Sequence, residues 1–189
     1  MSNDESDKKF DIESYWKAIQ GKWVRSDEPQ RIVEAKAAKS KFKRDLEKGQ
    51  ASEHSFFMKF QQHLTHTDGR KGDFEINKNG EVLELKADYH DPKVTFNFFI
   101  EKFSHGDKPG GPFQAKLHGV AYYAYWFPSD DLLYLFNVNQ LVKRINKLEP
   151  TLRKHAVKNE GYITTGYIVE RALLEDLCLD PNEVILNGK

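Results

Sequence analysis

The sequence predicts an α/β (α+β) domain organised around a mixed β-sheet. Two stretches of helical periodicity come first. Three segments of strand character follow between residues 73 and 102. A short helix, two aromatic strands and a helix–strand–helix run close the chain. The length of 189 residues suits one domain. Apolar residues make up only 39%, but 13 Phe, 8 Tyr and 3 Trp are among them, and each buries a large area.

Residues 1–9 are polar and charged and are expected to form a flexible arm. Phe10, Ile12, Tyr15, Trp16, Ile19 and Trp23 recur at roughly helical spacing, which predicts a short docked helix within an N-terminal helical extension over residues 10–50. Residues 31–48 give the clearest helix, with Ile32, Ala35, Ala38, Phe42 and Leu46 in one stripe. Seven basic and three acidic residues give that segment a net charge of +4, either a solvated face or a phosphate-contacting one. Gly49 interrupts, and residues 51–64 resume as a second helix with Phe57, Phe60 and Leu64 on one side. Glu53 sits one turn before Phe57 on that same side. It is either an exposed first-turn acid favoured by the helix dipole, or a carboxylate held near the core for a purpose.

Residues 73–76 alternate polar and apolar, Asn79-Gly80 supplies turn chemistry, and residues 81–88 alternate again. Residues 95–102 are a third strand. Three Gly and two Pro make residues 104–112 a loop, and residues 113–118 suit a short helix with Pro112 near its start. Residues 120–127 and 132–136 read as strands. Their Tyr122, Tyr123, Tyr125, Trp126 and Phe127 alternate over both sheet faces, which favours core packing over base stacking. Residues 138–148 form a helix, 161–169 a strand and 170–179 a last helix, so 137–189 complete the fold behind a core at 51–136.

The hairpin carries the chemistry. A two-residue loop sets Asp73 opposite Lys86 and Glu75 opposite Glu84, whereas a four-residue loop sets Asp73 opposite Glu84. Both registers leave Asp73, Glu75, Glu84 and Lys86 on one face and Phe74, Ile76, Leu83, Leu85 and Ala87 on the other. Opposed side chains sit roughly 5 Å apart. Carboxylates at that separation repel unless a cation lies between them, and Mg²⁺ favours such oxygen ligands. The alternative is a solvated sheet face with cross-strand ion pairs. The chain holds four acid-x-Lys triplets, but only Glu84-Leu85-Lys86 lies in a strand paired with another acid-bearing strand.

Helix Glu53, strand Asp73 and then Glu84-Leu85-Lys86 together resemble the PD-(D/E)XK, or restriction-endonuclease-like, nuclease superfamily, and its small bacteriophage-encoded members most. Asn97-Phe98-Phe99-Ile100-Glu101 followed by Gly110-Gly111-Pro112 adds to the likeness. Gly72 stands where the signature has a proline, and His118 stands where a RecB-type Gln-x-x-x-Tyr motif would place its Tyr after Gln114. The resemblance implies an αβββαβ core with a central mixed sheet flanked by helices, and Mg²⁺-dependent hydrolysis of DNA phosphodiesters, with Mn²⁺ as substitute. It implies that Asp73, Glu84 and the Leu85 carbonyl bind metal, that Glu53 completes the site, and that Lys86 orients or activates the attacking water. Gln114 and Lys116 would touch the scissile phosphate. A homodimer is implied for symmetric cutting of duplex DNA, and a monomer for nicking.

Zero net charge, from 29 Lys plus Arg and 29 Asp plus Glu, argues against a histone-like coating protein. Lone Cys178 forms neither an internal disulfide nor a cysteine zinc cluster. The chain shows no run of 18 apolar residues and no secretory leader, so no membrane partner is expected and the location is expected to be cytoplasmic. His63 and His66 read as solvated helix-end residues, and the hydrolase residue types at 104–107 share one loop, unlike a converging triad. Residues 142–158 carry a net +5 and form a second basic flank for a polyanion. A non-catalytic nucleic-acid or protein-binding module on the same fold, and an RNA-directed nuclease, are the competing readings.

Overall fold

A computed structural model describes residues 29–69, 71–159 and 162–188. The arm expected over 1–9 and the docked helix over 10–23 lie outside them, as do the side chains of Lys36, Lys39 and Lys41 on the expected basic face. The chain divides into two compact units, Met1–Ser40 and Lys41–Lys189.

Helix α1 spans Pro29–Phe60 without a break. The sequence predicts two helices parted by Gly49, but a helical glycine costs only about 1 kcal/mol relative to alanine. The burial of Phe56 and Phe60 further along outweighs that cost. The buried stripe runs through these two residues. Leu64, expected at the helix end, has already entered strand β1 (Leu64–His66). Glu53 therefore stands between about six and seven turns into the helix, which removes the first-turn explanation for its position.

The remaining strands are β2 (Phe74–Ile76), β3 (Val82–Ala87), β4 (Asn97–Ser104), β5 (Lys108–Pro109), β6 (Tyr122–Phe127), β7 (Leu132–Asn137), β8 (Arg153–Lys158), β9 (Ile163–Glu170) and β10 (Cys178–Leu179). Helices α2 (Gly111–Leu117) and α3 (Val138–Leu148) fall where the sequence places them. Asn137 caps α3, its side chain accepting from the N–H groups of Asn139 and Gln140. One sheet runs β1-β2-β3-β6-β7-β10 and is mixed, because β3 and β6 pair in parallel while the other neighbours are antiparallel. The second, β5-β4-β9-β8, is antiparallel throughout.

The three strands expected as one meander thus split between two sheets. β3 has two edges; β2 occupies one and β6 the other, which leaves β4 to pair with β5 and β9. Alternation along β6 explains the layering. Tyr122, Ala124 and Trp126 face α1 with Phe74, Ile76 and Leu83. Tyr123, Tyr125 and Phe127 face the other way, into a core shared with Phe98 and Ile100 of β4, Tyr167 of β9 and Leu141 of α3. The aromatic run is core on both faces, as its alternation predicts.

The end of the chain departs from the expected helix–strand–helix. Strand β8 is exposed along its whole length, so no apolar alternation announces it. The last helix does not form. Short turns at Arg171–Leu173 and Glu175–Leu177 lead into β10, which pairs with Phe136 and Leu135 of β7. Tertiary bonds override helix propensity here: the Arg171 guanidinium donates to Tyr134 Oη at 3.0 Å and to the Pro92 carbonyl at 2.6 Å. A π-helical turn, Asn182–Leu186, then buries Val184 and Ile185 in the α1-side core. No described helix is long and apolar enough to cross a membrane.

Two glycine substitutions check this architecture by urea unfolding. A Cβ at Gly49 meets nothing within 4 Å, so Gly49→Ala should stabilise the protein by up to about 1 kcal/mol if α1 is continuous. A Cβ at Gly166 would overlap the Ile100 carbonyl oxygen and lie 2.9 Å from Glu101 Cα. Gly166→Ala should cost about 1–3 kcal/mol.

Candidate active site

Asp73 is reached along a backbone that glycine alone follows easily. Gly72 has φ +132°, and a Cβ there would lie 2.6 Å from Val82 Cγ1 and 3.2 Å from the Leu83 carbonyl oxygen. A proline at this place would hold φ near −65°, so the approach to β2 differs from the one a proline-bearing signature builds. Phe74 pairs with Leu83 and Glu75 with Val82, which is the four-residue-loop register of the two the sequence allows. Ile76 N–H closes the loop on Glu81 O at 2.8 Å.

Asp73 stands just outside the ladder. Its N–H donates to Leu83 O at 3.0 Å, and its Oδ2 accepts from Leu85 N–H at 2.7 Å. The carboxylate continues the hydrogen bonding of β3 where β2 has stopped. In a strand, a residue's N–H and C=O leave by the same edge, so the Leu85 carbonyl lies on the edge that Asp73 occupies.

Asp73 and Glu84 line a cavity of about 110 Å³ together with Gly69, Gly72, Gln114 and His118. Burial raises the pKa of Asp73, and the Leu85 N–H and nearby His66 offset part of the rise. Glu84 is pushed up to about 8, by burial first and then by the charges of Asp73, Glu53 and Glu101, while Lys86 pulls it back. Glu53 is raised by burial and by Asp73. It arrives at this end of the sheet because Phe56, one turn further along α1, is wedged against Phe74 and Trp126, with ring centroids 5.6 and 5.7 Å apart. Glu53, Asp73, Glu84 and Lys86 therefore form one electrostatic neighbourhood.

Glu101 joins that neighbourhood although the motif does not include it as a site residue. Burial raises its pKa, and Lys86 and a hydrogen bond from Thr164 lower it in part. The β4–β9 register shifts between Glu101 and Phe103. The side chain lies on Gly110, the N-cap of α2, where a Cβ would fall 2.8 Å from Glu101 Oε1. An acid within an aromatic strand was the available signal, but its proximity to Lys86 depends on which sheet β4 joins. His118 is the other addition, at the C-cap of α2.

Not every expected residue is at the cavity. Gln114 lines it, whereas Lys116, on the same short helix, is exposed and does not. Glu75 is exposed on β2 and does not line the cavity of Asp73 and Glu84. His66 belongs to β1, not to a helix end, and its ring lies tilted against Phe57 and Phe74, with centroids 4.4 and 4.9 Å apart. Of the second basic flank, Arg144 is bound to Asp176 through both guanidinium nitrogens, while Arg153, Lys154 and Lys158 are exposed on β8.

Among the described residues, no three His, Cys, Asp or Glu side chains converge as a ready-made metal cage. Two carboxylates on a small polar cavity, with a backbone carbonyl on the same edge, match the sparser demand of Mg²⁺. That ion commonly takes one or two carboxylates and completes its shell with water and phosphate oxygens. No protein-family model, no curated protein and no solved structure matches this chain.

The crowding has a measurable consequence in metal-free protein. Glu84 binds its proton more tightly folded than unfolded, so its contribution to stability is complete below its ordinary value of 4.5 and is lost as pH rises through about 8. Glu84→Gln cannot ionise. Its stability relative to the parent, read by urea unfolding, should climb between pH 5 and pH 8 and level off above. A difference that stays flat over that range contradicts the crowded carboxyl.

Proposed function

We propose that the chain is a Mg²⁺-dependent endonuclease that hydrolyses DNA phosphodiester bonds. The observation that carries this reading is Glu84, whose carboxyl shares a small polar cavity with Asp73 and is held up to about 8 by burial and by like charges around it. Crowded carboxylates of this kind are costly in a structural role and useful where a divalent cation and a phosphate must meet. The resemblance of Glu53, Asp73 and Glu84-Leu85-Lys86 to the PD-(D/E)XK signature supports the same reading.

Asp73, Glu84 and the Leu85 carbonyl would hold the ion, with Glu53 supporting from α1. When bound, Mg²⁺ offsets the carboxylate charge and polarises the phosphodiester. Asp73 is oriented for this by the Leu85 N–H on Oδ2. Lys86 orients the attacking water, placed by β3 on the same face as Glu84 and within electrostatic reach of both Glu84 and Glu101. Gln114 contributes an amide donor to a phosphate oxygen at the cavity wall. A new bond forms from the water oxygen to phosphorus as the water gives up one proton to solvent, and the bond to one sugar oxygen breaks, that oxygen taking up a proton from solvent.

A cleavage panel tests this. Purified protein should nick or cut DNA with Mg²⁺ or Mn²⁺ and stop with EDTA. Glu84→Ala and Lys86→Ala should each lose at least about a hundredfold in rate, the scale of one acid–base group, with unchanged folding by circular dichroism. Full activity in either variant ends the proposal. The second reading, a non-catalytic binding module, draws on the lack of a three-ligand cage among the described residues. It predicts binding without metal-dependent turnover and no special loss in Lys86→Ala.

A further inference from the structure

We propose that the groove beside Lys86 binds a single unpaired DNA strand, so that the preferred substrate of this nuclease is single-stranded or branched DNA. The inference rests on the nuclease reading and names its substrate class. The groove has a volume of about 550 Å³. Lys86 and Tyr89 lie on its β3 side, and Phe99, Arg153 and His155 on the side of the second sheet. Lys86 is common to this groove and to the acidic neighbourhood. A strand lying in the groove therefore ends at the candidate chemistry.

The walls have the two properties that unpaired strands select. The first is positive charge. Lys86 lines the groove from β3 and Arg153 from β8, the outer strand of its sheet, with His155 two residues further along on the same face. Among the described residues Asp88 is the one carboxylate lining the groove, and both its oxygens are engaged. Oδ1 accepts from the His90 backbone N–H at 2.9 Å and meets His90 Nδ1 at 2.7 Å, and Oδ2 accepts from Tyr125 Oη at 2.5 Å.

The second property is aromatic surface. Tyr89 is 51% exposed, yet its ring is held in place, because its hydroxyl donates to the Lys48 carbonyl at 2.7 Å and also meets Ser52 Oγ. Phe99 and His155 meet edge to face at 5.9 Å. Rings over a cationic groove stack bases without regard to sequence. A duplex hides the faces of its bases and is read by elements that protrude into its grooves; a concave groove with aromatic walls offers it little beyond charge.

Fluorescence anisotropy in EDTA, on the Glu84→Ala protein, separates binding from cutting. Labelled oligo(dT) should bind at least about tenfold more tightly than a blunt hairpin duplex of equal nucleotide content. Tyr89→Ala and Arg153→Glu should each weaken oligo(dT) binding about tenfold, the scale of one lost stacking partner, without changing the unfolding midpoint. Arg153→Ala should lower the slope of log K against log salt by about 0.7, one phosphate contact on a single strand. Equal or tighter binding of the duplex, tighter binding of oligo(rU) than of oligo(dT), or unchanged binding in both Tyr89→Ala and Arg153→Glu overturns the proposal. An oligo(dT) preference that survives an empty cleavage panel sustains the groove and sinks only the nuclease; cleavage by a protein that prefers duplex sinks only the groove.

Discussion

The fold brings buried negative charge to the point where β2 ends and β3 continues. Asp73 occupies that point because its carboxylate takes the Leu85 N–H that a longer β2 would have bonded. Glu84 shares the cavity, Glu53 comes from α1, Glu101 comes from the second sheet, and Lys86 is the cation among them. Burial raises the proton affinity of all four carboxyls, and neighbouring negative charge adds to the rise at Glu53 and Glu84. A fold that had no use for such crowding could shed the cost by replacing one acid with an apolar residue. The rest of the architecture can be understood as what holds these groups together against their repulsion.

That support comes from three directions. The α1-side core fixes the helix through Phe56, Phe74 and Trp126, and with it the height of Glu53. The opposite core fixes β4 against β6 through Phe98 and Tyr125, with centroids 4.7 Å apart, and with it the approach of Glu101. Glycines clear the close passages. Gly72 admits the turn into Asp73, and Gly110 leaves room for the Glu101 side chain. Between them, the sheet edge at β3 is left open on one side only, beyond the end of β2, and the cavity and the Leu85 carbonyl lie there.

The groove continues this arrangement outward. It is bounded by the strand that carries Lys86 and by an outer strand whose charge is entirely basic. Zero net charge over the whole chain is compatible with a local separation of sign: Glu53, Asp73, Glu84 and Glu101 gather around the cavity, and Lys86 and Arg153 line the groove beside it. A polyanion is attracted by the outer part and meets the carboxylates only where a cation would have to mediate.

What the sequence by itself determined is local. Period-two alternation placed Asp73 and Glu84 opposite the face that buries Phe74 and Leu83, and it placed the β6 aromatics in two cores. The turn residues narrowed the hairpin to two registers, and the helical register of Leu141, Ile145 and Leu148 and the early Pro112 located α3 and α2. Tertiary structure decided the rest. It carried α1 through Gly49, since a cost near 1 kcal/mol yields to the packing of Phe56. It sent β4 to a second sheet because both edges of β3 were occupied. It made a strand of exposed residues 153–158 and dissolved the expected last helix into turns. Glu101 and His118 became visible only with those choices, because a chain's local pattern states which face a residue takes and is silent on which distant strand will lie across from it.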